Sequence, residues 1–160
     1  MYRQTARPGM PYMDDNDALL SLRLPSRPEA VSAARKALAS LNGDLHLVSS
    51  ERLQDVQLLA SELVTNAIRH SERDDVSVVV RSSATMLRVE VANAGAAFDE
   101  VALPEPSHET AGGWGLRIVE LIAHRWGVDP SPEGVRVWFE VDRPRSDTPL
   151  AITGEAPPPS

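Results

Sequence analysis

One stretch of the sequence places a carboxylate, a carboxamide and a guanidinium on the same side of a predicted helix. Apolar residues recur at helical spacing from about Ser50 to His70, which predicts a helix with one buried stripe. Glu62, Asn66 and Arg69 follow one another at i, i+4 and i+7 on the opposite side. A carboxylate can accept a proton, a carboxamide oxygen is a hard ligand that suits Mg²⁺, and a guanidinium suits phosphate. The alternative interpretation is a solvated helix face with an incidental charge pair.

Glycine turns follow this helix at two places in the chain. The first comes after a predicted strand, at Asn93 and Gly95. The second leads directly into another helical pattern, whose residues are Gly112, Gly113, Trp114, Gly115, Leu116, Val119, Ile122, Ala123 and Trp126. Glycines let a backbone approach a ligand closely, and the first amides of a helix point at anions. The alternative is an ordinary glycine-rich turn before a helix.

The order of these motifs resembles the ATP-binding domain of the gyrase, chaperone, histidine-kinase and mismatch-repair superfamily. The motifs are E-x-x-x-N at Glu62 and Asn66, N-x-G at Asn93 and Gly95, and G-x-G-L from Gly113. The wording E-L-V-T-N-A-I-R-H and G-G-W-G-L-R-I-V is most similar to the small bacterial anti-sigma factor serine/threonine kinases. The resemblance covers about residues 18–141 and implies a Bergerat-type fold that binds ATP with Mg²⁺.

The resemblance also implies roles for individual residues. Glu62 matches the general base that would accept the proton of a substrate serine, and Asn66 matches the Mg²⁺ ligand between the phosphates. Gly95 matches the glycine beneath the adenine base. The remaining candidates for nucleotide binding are Arg69, His70, Gly112, Gly113, Trp114, Gly115 and Leu116. For His70, a cation that complements the dipole at the helix C-terminus is an equal alternative.

Asn93 departs from the pattern of the family. The family normally has an aspartate there, which accepts a hydrogen bond from the adenine amino group. Asn93 can still accept through its side-chain oxygen, but a neutral acceptor is a weaker partner. The departure supports a second hypothesis, in which nucleotide binding is weak or vestigial.

Composition narrows the functional class. A chain of 160 residues suits one domain, and the absence of cysteine excludes disulfides, thiol nucleophiles and cysteine-based metal sites. A formal net charge of -7 argues against a general nucleic-acid or anionic-membrane binder. The sequence shows neither a membrane-spanning apolar run nor a secretory signal, so it predicts a cytoplasmic protein.

The sequence predicts an α+β fold, a two-layer sandwich with helices on one face of a mixed, mostly antiparallel sheet. Alternating patterns predict strands at residues 19–24, 76–80, 87–91 and 135–141. A first helix is expected to be capped by Ser26 and to stop at Asn42-Gly43. We expect a disordered segment at residues 1–17, an ATP-binding domain at 18–142 and a disordered, proline-rich tail at 143–160.

Two functional hypotheses follow, and both stay open at this point. In the first, the chain is a serine/threonine kinase that phosphorylates an anti-sigma factor antagonist and sequesters a sigma factor, as the resemblance implies. In the second, it is a non-catalytic protein-binding module on a nucleotide fold. A homodimer is expected from the family. The catalytic domain of a split histidine kinase is disfavoured, because residues 1–17 leave no room for a long phosphoacceptor helix. A stand-alone ATPase is disfavoured for want of a transducer domain.

Overall fold

The computed structural model describes residues 17–71, 74–94, 114–131 and 134–144. Within these ranges the chain forms five strands and three helices. In chain order they are β1 (Leu20–Pro25), α1 (Glu29–Leu45), α2 (Ser50–His70), β2 (Asp75–Ser82), β3 (Met86–Ala94), α3 (Trp114–Ile122), β4 (Arg125–Ser131) and β5 (Gly134–Asp142). No helix in these ranges combines the length and apolarity needed to cross a membrane.

The strands form one sheet in the order β1-β2-β3-β5-β4, with every described pair antiparallel. β1 therefore lies at one edge of the sheet and β4 at the other. α2 packs against β2, β3 and β5, α1 packs against β1 and α2, and α3 packs against α2 and β4. Residues of the three helices and of one sheet face share a single hydrophobic cluster. The predicted two-layer α+β sandwich is confirmed.

Period-two alternation of valines builds the sheet side of the core. Val76, Val78 and Val80 on β2 are fully buried, and the register places Val91 and Val89 of β3 beside the last two. Burial of a valine or leucine side chain contributes about 1.5–3 kcal/mol. On the helix side, the buried residues of α2 are Val56, Leu59, Ala60, Leu63, Val64 and Ala67. This stripe fixes the rotation of α2 about its axis.

The N-termini of the two long helices are capped differently. Ser49 caps α2, because its side-chain oxygen accepts a hydrogen bond from the Arg52 amide at 3.2 Å. α1 instead begins after Pro28 and has no side-chain cap. The predicted Ser26 cap is therefore wrong. The fixed φ of proline already suits the first turn of a helix, so α1 can begin without a capping hydroxyl.

The C-terminal end of α1 also differs from the prediction. The helix passes through Asn42-Gly43 and ends at Leu45, followed by His46 in the left-handed conformation with φ 49°. The Asn42 carboxamide accepts from the Val48 amide at 2.9 Å and donates to the Val48 carbonyl at 3.1 Å. Asn42 thus stabilises the connection to α2 from inside the helix, which explains why it does not end the helix.

Gly43 offers a test of this corrected helix end. We expect Gly43→Ala to stabilise the protein by about 0.5–1 kcal/mol, because alanine loses less backbone entropy in a helix. A Cβ built at Gly43 meets nothing within 4 Å. The free energy of unfolding in urea measures the change. Gly127→Ala is the matched control with the opposite sign, since its Cβ would lie 2.7 Å from Trp138 Cζ2. A Gly43→Ala protein no more stable than wild type would contradict the extended helix.

The strand β4 was not predicted, because Trp126 was assigned to the preceding helix. α3 ends at Ile122, and Trp126 pairs with Phe139 in the register of β4 with β5. Gly127 and Pro130 are poor strand formers, so local propensity hides this strand. Pairing along β5 forms it, and its place at the sheet edge tolerates proline.

Charged side chains and one tryptophan cover the sheet face opposite the helices. Trp138 packs flat on Gly127, and the Arg88 guanidinium lies 3.9 Å from the centre of the Trp138 ring. Arg88 also donates to Glu90 at 2.7 Å and to Glu140 at 3.2 Å. Glu90 and Glu140 are each about 5% exposed or less. This face is sealed by its own paired charges, as buried carboxylates require.

Candidate functional site

α2 carries Glu62 and Asn66 on one flank of its buried stripe. With 3.6 residues per turn, residues four apart project from successive turns on the same side. Both side chains are half-buried, whereas Arg69 and His70 in the last turn are exposed. The structure therefore places the predicted base and the predicted metal ligand next to each other, at the boundary between core and solvent. The two candidate phosphate-binding cations lie beyond them at the helix end.

Polar contacts lock the other flank of α2 onto α1. The Ser61 hydroxyl donates to the Gln57 carbonyl at 2.6 Å and accepts from Arg35 Nη1 at 3.3 Å. Gln57 Nε2 donates to the Arg35 carbonyl at 2.9 Å. Ser61 directly precedes Glu62 but projects to the opposite flank. These contacts hold the rotation of α2 and so the direction of Glu62. The sequence analysis did not identify them.

The end of β3 is tied to the same part of α2. Asn93 is 9% exposed, and its Nδ2 donates to the Ala67 carbonyl at 3.5 Å. Ala67 directly follows Asn66, so this contact brings the first glycine turn of the sequence against the turn that carries the metal ligand. An ionised aspartate has no donor and could not make this hydrogen bond. The side-chain oxygen of Asn93 is the branch that can still accept from a base.

The Asn93 contact leads to a prediction about stability. We expect Asn93→Asp to lower the free energy of unfolding of the nucleotide-free protein by about 1–3 kcal/mol. The reason is that a buried carboxylate oxygen would replace Nδ2 opposite the Ala67 carbonyl. Urea denaturation measures the change. Gln54→Glu, an amide-to-acid change at an exposed position of α2, is the control and should stay near wild type. Equal stability of Asn93→Asp and wild type would show that the Ala67 contact contributes nothing.

α3 supplies the first turn of the second motif. It begins at Trp114, and it packs against α2 through the buried Val119. The backbone amides of Trp114, Gly115 and Leu116 belong to its N-terminal turn, where helix amides have no intrahelical partner and attract anions. The candidates Gly95, Gly112 and Gly113 lie outside the described residues.

The side chains at this site fit a metal that arrives with a nucleotide. Within the described ranges, no group of three or more His, Cys, Asp or Glu side chains could hold a metal ion. The hard donors on the α2 flank are the Asn66 amide oxygen and the Glu62 carboxylate. Mg²⁺ commonly binds through one or two protein ligands, with phosphates and waters completing its shell. The donor set suits that mode of binding and no other described one.

Comparison with known proteins identifies similar chains. A family model described as "Histidine kinase-like ATPase domain" matches residues 24–141, a range that includes α2, β3 and α3. The protein named Serine-protein kinase RsbW from Bacillus subtilis (strain 168) is 27% identical over 124 residues, which cover 69% of this chain and 77% of that protein. The protein of the same name from Listeria innocua serovar 6a is 27% identical over 117 residues, covering 64% and 74%.

One solved structure was also matched. The histidine kinase domain from Erythrobacter litoralis EL346 blue-light activated histidine kinase superposes with a TM-score of 0.44 and 23% sequence identity. The match covers 77% of this chain and 62% of that one.

Proposed function

Because the chain belongs to the histidine kinase-like ATPase domain family, we propose that it is a regulatory ATP-binding protein of the anti-sigma factor kinase type. It binds Mg-ATP, transfers phosphate to a serine or threonine of an anti-sigma factor antagonist, and sequesters a sigma factor. The observation that carries this proposal is the pairing of Glu62 and Asn66 on one flank of α2, beside the buried Asn93. The names of the serine-protein kinase relatives support serine as the acceptor.

Each part of the site has a role in this proposal. The Asn66 oxygen binds Mg²⁺, which neutralises charge on the phosphates when bound. Glu62 accepts the proton of the substrate hydroxyl as it attacks. The N-terminal amides of α3 face the phosphates, and the Asn93 oxygen accepts from the adenine amino group. Phosphoryl transfer depends mainly on positioning and electrostatics, so the contacts that fix α2 matter to the rate.

The second candidate function is a non-catalytic protein-binding module with weak or vestigial nucleotide binding. Asn93 favours it, because this residue is neutral and directs its amide to Ala67. The partners, a sigma factor and an antagonist, would be the same in both cases. The two functions differ in whether ATP affinity depends on the metal.

Calorimetric titration with ATP, with and without Mg²⁺, separates the two functions. Metal-dependent binding in the micromolar range supports the kinase-type proposal, and GTP serves as the control for base selection. No detectable binding would favour the protein-binding module. If ATP binds, incubation with labelled ATP and candidate antagonists from the same genome tests phosphotransfer, and alkaline loss of the label identifies phosphoserine or phosphothreonine.

A homodimer belongs to the same proposal. β1 lies at the sheet edge, and its outer side pairs with no described strand. Such an edge presents backbone donors and acceptors to a second strand. Analytical ultracentrifugation measures the mass in solution. Proline at Ser21 should shift a β1-mediated dimer to monomer if the outer side of Ser21 donates to the partner, whereas Ser21→Ala should not.

A further inference from the structure

A groove with a positive rim runs along the outside of α1 and reaches α2. Its volume is about 530 Å³, and Pro28, Val31 and Ala39 supply its apolar floor. Arg35 and Lys36 lie on its rim and are exposed. None of the residues that line it is acidic. The groove is therefore a local positive and apolar surface on a chain whose formal net charge is -7.

The sequence contains one segment with the opposite charge and suitable apolar side chains. Residues 8–17, here called the acidic segment, read P-G-M-P-Y-M-D-D-N-D. They include Asp14, Asp15 and Asp17 and no lysine or arginine. Tyr12 and Met13 directly precede the acids, and methionine side chains adapt well to irregular apolar surfaces. The acidic segment matches the groove in both charge and polarity. Residues 8–16 of it lie outside the described residues.

Chain geometry allows the two to meet. Only residues 26–28 separate β1 from α1, and the two elements pack together, so α1 must run back alongside β1. Lys36 is seven residues into α1, which corresponds to about 10 Å along the helix axis. Asp14 is six residues before the start of β1, and an extended chain of that length reaches about 20 Å. The acids can therefore reach the rim without a change in the fold.

We propose that the acidic segment docks in the groove between α1 and α2 of its own chain. Asp14 and Asp15 pair with Arg35 and Lys36, and the side chains of Tyr12 and Met13 cover the apolar floor. The docked segment lies on the Ser61 flank of α2, opposite Glu62, so it leaves the nucleotide flank open. It covers α1 against other proteins and so acts as an internal competitor for partners of that surface. The inference does not depend on ATP binding.

The single lysine of the chain makes a direct test possible. Lys36 is the only lysine in the 160 residues, so a carbodiimide, which joins an amine to a carboxylate in contact with it, can form few internal links. We expect the unmodified protein to give an intramolecular link between Lys36 and Asp14 or Asp15, located by peptide mass spectrometry. Its yield should fall several-fold when the salt is raised to about 1 M, where the screening length is about 3 Å.

Controls distinguish docking in the same chain from the alternatives. Lys36→Arg keeps the charge but must abolish the link, and the protein unfolded in urea must lose it. Asp14→Asn with Asp15→Asn should weaken protection of the groove, measured as faster acetylation of Lys36, while melting stays unchanged. A link found only in covalent dimers would mean that a second copy fills the groove, and the proposal would be wrong. It would also be wrong if Lys36 reacted only with carboxylates outside residues 14–17, or if acetylation of Lys36 were equally fast in the neutralised variant.

Discussion

Asn66→Ala is expected to remove Mg²⁺-dependent ATP binding, with a loss of about 100-fold in affinity, the scale seen when ligands of a metal site are disturbed. Within the described residues no cluster of acidic side chains could take over the metal, and Asn66 is half-buried on the flank that carries Glu62. Alanine removes the only amide oxygen at that position of α2. Calorimetry with ATP, with and without Mg²⁺, measures the loss.

Two further variants make this result specific. Asn66→Asp keeps an oxygen ligand and should retain most of the metal dependence, although its charge repels the phosphates. Gln54→Ala removes a carboxamide from an exposed position of the same helix and should bind Mg-ATP like wild type. Unaltered Mg-ATP affinity in the Asn66→Ala protein would exclude Asn66 as the metal ligand. Because alanine favours helix, a loss of binding with normal melting cannot be attributed to unfolding.

The elements that the sequence predicted well are those with a strong period. Alternation along β2, β3 and β5 and the apolar stripe of α2 are local patterns, and burial on one face enforces them. β4 could not be predicted in the same way, because Gly127 is required by the Trp138 ring that lies over it. Its conformation depends on pairing with a strand later in the chain. The end of α1 was missed because the bonds of Asn42 to Val48 reverse its usual tendency to end a helix.

The candidate site divides along the same line. Glu62 and Asn66 share one helix, so their common flank follows from spacing alone. The contacts that hold this flank join residues far apart in the chain: Asn93 with Ala67, and Arg35 with Ser61, each separated by 26 positions. Local patterns carry no information about such contacts. The sequence therefore predicted the groups that would do chemistry, and the structure showed what positions one of their helices.

Glu62→Gln is the prediction that separates catalysis from binding. The amide has the same shape as the carboxylate but cannot accept a proton, so we expect Mg-ATP affinity to stay within about threefold while phosphotransfer falls by roughly 100- to 10 000-fold, the range for general bases. Single-turnover transfer of labelled phosphate from bound ATP to the antagonist measures the rate. Glu51→Gln, the same change at the exposed start of α2, is the control and should transfer at the wild-type rate.

The two site variants together decide between the proposed functions. If Asn66→Ala loses ATP and Glu62→Gln keeps ATP but loses transfer, the flank of α2 is a working kinase site, and the neutral Asn93 is compatible with catalysis. If Asn66→Ala loses ATP but Glu62→Gln transfers phosphate normally, Glu62 orients the nucleotide or a water and another group accepts the proton. If neither change affects an already weak affinity, the Asn93 contact with Ala67 preserves the fold, and the chain acts by binding proteins.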